Sequence, residues 1–236
     1  MKALIYTAML AFATLYAAGV CASDSHKLKV SAEGFSTKGY ITPEFAFCVS
    51  DAKAHMKEGN NMSIGLSWSQ GPAATKSYAI IAVDADVPTD FTNAGKEGKT
   101  LPADMPRRNF YHWVLLDIPA SINSIPVHAD SHTISRHGKS DIETPFGKRG
   151  VNDYAGYFAD NPERKGIYTG YDGPCPPWND ALIHHYHFKV FALDIPSLGI
   201  SGTAATGDAA LKAMASHILA QGEVIGKYTL NPQAKK

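Results

Sequence analysis

The sequence predicts a mainly β chain, an antiparallel β-sandwich with a few peripheral helices, one of them near the C-terminus. Two observations lead there. Short apolar runs (KLKVSAEGF, EFAFCVS, NMSIGLSWSQGP, SYAIIAVDADVP, NFYHWVLLDIP, HHYHFKVFALDIP and VIGKYTLNP) are bounded by Gly, Pro, Asn and Ser. That spacing suits consecutive antiparallel strands rather than strands alternating with long helices. The exception comes late: from Asp208, DAALKAMASHILAQG sets Leu211, Met214, Ile218 and Leu219 on one helical face.

In chain order, the first stretch is MKALIYTAMLAFATLYAAGVCAS, one lysine followed by a long apolar run that ends in small residues. This is the pattern of a secretory signal peptide, with cleavage after Ala22 and with Val20 and Ala22 at the recognition positions. The alternative of a lipid anchor at Cys21 is disfavoured by Ala18 and Val20 beside it. Residues 23–236 then form a single domain, and no later segment is apolar enough to span a bilayer. The whole chain carries 22 Lys plus Arg and 22 Asp plus Glu. Such a balance gives no field to steer the protein to nucleic acid or anionic lipid.

Cleavage leaves Cys48 and Cys175. Two cysteines in an oxidising compartment read as one disulfide, the alternative being two buried free thiols. The runs YAIIAVDA and HWVLLDI are apolar on both faces, so they belong inside the protein. Residues 131–171 are rich in Gly, Asp, Lys, Arg and His with weak periodicity, which predicts a long surface excursion. In the last helix Asp208 serves as N-cap and Gly222 as C-terminal stop.

Four stretches could carry chemistry: DADVP (84–88), YHW (111–113), GPCPP (173–177) and HHYH (184–187). Strand alternation puts His184 and Tyr186 on one face and His185 and His187 on the other. His185 and His187 have the spacing of metal ligands, but no third ligand is defined, and a solvated face beside Lys189 competes. A hydrolase could use Asp84 or Asp86 as general base with His112 or His184. No G-x-S-x-G elbow or free cysteine supplies its nucleophile. Asp84 and Asp86, two residues apart, point to one side while the strand stays extended, and Pro88 fixes its exit.

In order and spacing, DADVP, HWVLLDIP, GYDGPCPPWND and HHYHFKVFALD resemble the phosphatidylethanolamine-binding protein family, in particular its bacterial Raf-kinase-inhibitor-like branch, the YbhB/YbcL group. NDYAGYF and GKYTL are similar to that branch too, and the likeness runs from about residue 27 to 230. It implies a β-sandwich with a small anion pocket at the strand ends, lined by Asp84 with Asp86 and Pro88, His112, the Pro176/Pro177 turn, His184 and Tyr186. Two departures stand out: His185 occupies the usual place of an Arg, and the turn is one residue longer than in eukaryotic members. A carboxylate beside an imidazole favours imidazolium, which can donate to a phosphate oxygen. The expectation is therefore a periplasmic or secreted binding protein for a small anionic or phosphorylated ligand, without cofactor or metal, open to a protein partner and, through apolar edge strands, to a homodimer. The alternative is a hydrolase or metal-dependent enzyme built on the same acids and histidines.

Overall fold

The fold follows from two long runs that are apolar on both faces. In the computed structural model, which describes residues 26–234, they are strands β1 (Ser77–Pro88) and β2 (Arg107–Pro119), flanked by β3 (His184–Leu193) and β4 (Ile218–Tyr228). The proposed leader, residues 1–22, and its cleavage site lie outside the described residues. With short edge strands His26–Lys27 and Lys148–Arg149 they form a six-stranded sheet, in the order His26–Lys27, β4, β3, β1, β2, Lys148–Arg149. The pairings are antiparallel except that of His26–Lys27, which runs parallel to β4.

Alternation explains why both faces are apolar. Ile80, Ala82, Leu115, Phe188 and Val190 meet Leu66, Trp68 and Ile125 from a second, three-stranded antiparallel sheet (Val30–Glu33, Gly65–Trp68, Ser124–Ile125). Ala79, Ile81, Val83, Val114 and Leu116 face the opposite way, against Ala205, Ala210 and Met214. Each large side chain so buried contributes about 2 kcal/mol. The β-sandwich is thus one sheet covered on one side by strands and on the other by a helix.

Two sequence expectations need correction. The late helix is α2 (Gly207–Met214), following the single-turn α1 (Tyr154–Tyr157), and it stops well before Gly222. Thr206 is its N-cap, accepting from the Ala209 amide at 3.2 Å, while Asp208 in the first turn accepts the Tyr111 hydroxyl at 2.5 Å. Ile218, Leu219 and Gly222 belong to β4, with Gly222 opposite Val190. Apolar residues at either end of the turn after Met214 continued the helical period by coincidence. Gly222 is required because a Cβ there would fall 2.1 Å from the Leu28 carbonyl oxygen.

The segment 131–171 has little regular structure, as expected, but it is not purely a surface excursion. Asn152, Tyr154, Phe158, Tyr168, Thr169 and Tyr171 are buried. Its aromatic rings join the main core cluster without any period that sequence alone could reveal.

Cys48 and Cys175 form a disulfide that closes a separation of 127 residues. It ties the hairpin Cys48–Asp51/His55–Glu58 to the Gly/Pro turn, and the Cys48 amide also donates to the Pro174 carbonyl at 3.1 Å. For a loop this long the chain-entropy contribution is about 5 kcal/mol. The double substitution Cys48→Ser/Cys175→Ser should therefore lower the free energy of chemical unfolding by roughly 2–5 kcal/mol. A loss well under 1 kcal/mol would mean that the bridge does not constrain the unfolded chain.

Candidate functional site

The carboxyl end of β1, the middle of β2 and the start of β3 meet beside the Gly/Pro turn. Register explains the meeting: Tyr186 pairs with Asp84 across β3 and β1, and Asp84 pairs with Phe110 across β1 and β2. Behind them lies a chain of buried charge. His184 Nδ1 donates to Asp84 Oδ2 at 2.7 Å and Nε2 donates to Asp180 Oδ2 at 3.1 Å. Arg107 closes the chain with a two-pronged contact to Asp180, at 2.6 and 3.0 Å.

Burial alone would depress the His184 pKa, but the Asp84 charge and the hydrogen bonds to Asp180 and Asp84 outweigh it and push it up to about 9. Burial would likewise raise the Asp180 carboxyl, yet its bonds to His184 and Arg107 hold it below the ordinary value. Two carboxylates thus face one imidazolium and one guanidinium, and the network is neutral.

His112 differs. Its Nδ1 lies 2.8 Å from the Asp172 carbonyl oxygen, which can only accept, so the proton is on Nδ1. The Asp172 amide returns a bond to the His112 carbonyl at 2.9 Å. Burial holds the His112 pKa below the usual imidazole value, against the pull of the Asp84 charge and the Asp172 carbonyl. The ring is therefore neutral, with a bare Nε2 lone pair. Tyr186 stands beside it, ring centroids 5.2 Å apart. Its hydroxyl is buried and has no hydrogen-bond partner among the described residues. Burial first, then the adjacent Asp84 charge, raises its pKa far above the usual phenol value, although the two groups do not meet in hydrogen-bonding geometry.

The turn that holds His112 is itself anchored. Asp172 accepts from Asn61 at 2.7 Å, from Asn152 at 2.8 Å and from Lys139 at 3.3 Å. Gly173 follows because a Cβ there would sit 2.0 Å from the Phe45 carbonyl oxygen.

Asp84, His112, Pro176, Pro177, His184 and Tyr186 line a single cavity of about 550 Å³. Asp86 and Pro88 do not, which corrects the expectation that both acids face one way. Three steps along β1 from Asp84 to Val87 match two along β2 from Phe110 to Arg108. The extra residue is a bulge, and a bulge resets alternation. Asp86 accordingly turns to His185, accepting from its amide at 2.8 Å and its Nδ1 at 2.9 Å. His187 meets Glu223 at 3.1 Å on the far face, so neither of these histidines reaches the cavity.

Sequence reasoning missed Arg107, which no local pattern marks, and it missed Asp172 and Asp180 although both stand in GYDGPCPPWND. It also missed the aromatic wall of Phe47, Phe110, Tyr154, Phe158 and Trp178. The aromatic content of NDYAGYF was the available signal.

A β-sandwich with D-x-D-x-P, H-W, Gly/Pro and H-x-Y segments converging on one cavity defines a class. The family model described as phosphatidylethanolamine-binding protein matches residues 31–229, and the chain belongs to this family. Among its curated relatives, the UPF0098 protein YbcL of Escherichia coli is 30% identical over 195 residues, covering 82% of this chain and 80% of that protein. A UPF0098 protein of Aquifex aeolicus is 30% identical over 198 residues, covering 82% of this chain and 92% of its own. The crystal structure of Escherichia coli YbcL, there called a new member of the mammalian PEBP family, superposes with a TM-score of 0.61 at 26% identity, spanning 86% of this chain and 99% of YbcL.

The sign of the His184 effect is fixed. A pKa raised from 6.5 to about 9 contributes stability that is complete below about 6.5 and is lost as pH rises through about 9. Its size is about 3 kcal/mol. Denaturant titrations should show stability falling across that window, and Asp180→Asn should move the fall to lower pH. A flat profile in the parent protein would contradict the charged-imidazole assignment.

Proposed function

We propose that the protein is a non-catalytic binding protein, exported through its N-terminal leader, that holds a small phosphate-type anion at the cavity floor. What carries this reading is the pair formed by the Tyr186 hydroxyl, a buried donor without a protein partner, and the bare Nε2 of His112. An unmet buried donor costs about 1–3 kcal/mol, which an acceptor arriving from outside would recover. The 127-residue disulfide loop is in keeping with an oxidising compartment. Among the described residues no helix is long and apolar enough to cross a membrane.

The sequence-derived mechanism changes in one respect. His184 is the charged imidazole, but both its nitrogens are committed to Asp84 and Asp180, so it has nothing left to donate. Together with Arg107 it neutralises the two acids, so they do not repel an anion. The direct contacts fall to Tyr186 and to His112, which gains an N–H at Nε2 by taking up a proton as the anion binds. Asp86 and Pro88 support the site from the bulge. In this scheme a biological partner would sense the occupied or empty cavity.

Binding should therefore be coupled to proton uptake, and affinity should fall as pH rises through the His112 transition. Calorimetric titration with inorganic phosphate, and with sulfate, which does not titrate in the range, over about pH 5–8 measures this. Tyr186→Phe and His112→Ala should each weaken binding about tenfold or more. Affinity independent of pH for sulfate, or no binding of either anion at any pH, would refute the proposal.

A further inference from the structure

The cavity is far larger than an inorganic anion needs; about 550 Å³ falls in the range of sites that enclose drug-sized ligands. Its walls identify the rest of the occupant. From the anion site the rings run without a break: Tyr186 to His112, His112 edge-on to Tyr154 at 5.6 Å, and Tyr154 stacked on Phe47 at 4.6 Å. Phe158 also packs on Tyr154 at 5.6 Å, with its ring 6.0 Å from that of Phe47. A flat aromatic group is what such a wall accommodates best, by offset stacking and edge contacts.

At the end of the ring wall stands Arg164. Its guanidinium lies over Phe47 at 5.8 Å and Phe158 at 5.2 Å, and the residue lines the cavity. Nη2 bonds Glu58, but Nη1 is buried and has no hydrogen-bond partner among the described residues. Glu58 is also the acid nearest Arg136 Nη2, at 3.9 Å. One carboxylate therefore serves two guanidiniums, leaving a surplus positive charge at this end. The cavity thus has two unmet buried donors, Tyr186 Oη at one end and Arg164 Nη1 at the other, with aromatic rings between.

We propose that Arg164 is a second binding residue of this cavity, and that its occupant is an aryl phosphate carrying a further anionic group. The phosphate would rest on Tyr186 and His112, the ring against Tyr154, Phe47 and Phe158, and the second anion on Arg164 Nη1. The inference rests on the anion site described above and adds to it the ring and the second charge. Sequence gave no sign of it, since Arg164 sits in the aperiodic 131–171 segment.

The test is a comparison of affinities on the purified full chain. Its ligands are inorganic phosphate, butyl phosphate, phenyl phosphate, and phenyl phosphates bearing a para carboxylate on arms of increasing length. Phenyl phosphate should bind more tightly than butyl phosphate, and one carboxylate arm should add about tenfold or more over phenyl phosphate. In Arg164→Met, which keeps the apolar stem on Phe47 and Phe158, the ratio of carboxylate ligand to phenyl phosphate should fall to about one. Glu58→Gln, which removes the competing carboxylate, should raise that ratio, and it decides the matter should Arg164→Met fail to fold. The inference is overturned if no arm length gives a gain in the parent protein, if the gain survives Arg164→Met, or if Glu58→Gln leaves it unchanged. Phosphate binding without any gain from ring or arm removes this inference alone, whereas no binding of phosphate or phenyl phosphate removes the anion site as well.

Discussion

Two acids, Asp84 and Asp180, are buried at strand ends, and burying a carboxylate is unfavourable unless a cation meets it. His184 lies between them and uses both ring nitrogens, while Arg107 satisfies the outer side of Asp180. Everything at the cavity floor depends on this neutral chain. Breaking it by removing His184 or Arg107 would leave an uncompensated carboxylate in a place that is 1% exposed. It also dictates which groups remain free for a ligand. A histidine already spent on two carboxylates has no nitrogen left for a ligand, so under the proposed function the contacts would fall to neighbours with fewer bonds of their own.

Those neighbours are held by a separate framework. Asp172 takes three side-chain donors and fixes its own carbonyl toward His112 Nδ1, which sets the tautomer and points the bare nitrogen into the cavity. The disulfide and the Cys48–Pro174 bond fasten the next residues of the same turn to an early hairpin. Segments far apart in sequence thereby hold one another in register beside the cavity floor. The opposite end, where Arg164 and Arg136 share Glu58, is less constrained and more exposed.

Much of this was legible in the residues. Period-two alternation in HHYHFKVFALD separated His184 and Tyr186 from His185 and His187, and the structure keeps that separation. Apolarity on both faces of YAIIAVDA and HWVLLDI marked the central strands, because only a sheet covered on both sides tolerates it. The remainder was lost for physical reasons. The bulge after Asp84 is one inserted residue in one strand, detectable only against its partner, so alternation alone puts Asp86 on the wrong side. Ile218 and Leu219 fit the helical period as well as the strand they form, so the pattern extends past the true helix end at Met214. Arg107 takes its meaning wholly from tertiary contact, Asp172 and Asp180 stand in a quoted motif whose individual roles only the fold separates, and the aromatic wall is gathered from distant segments without a repeat.

Two histidines divide the labour: His184 is charged near neutral pH and structural, whereas His112 is neutral and, under the proposed function, charges only when an anion arrives. Nitrogen-15 NMR of the imidazoles, in free protein and with saturating sulfate near neutral pH, reads both rings directly. The account predicts that His184 carries both protons in either state, whereas His112 carries one, on Nδ1, when free and gains the second on Nε2 when sulfate is bound. A His112 ring that stays neutral with sulfate bound, or a His184 ring that changes its protonation, would contradict it.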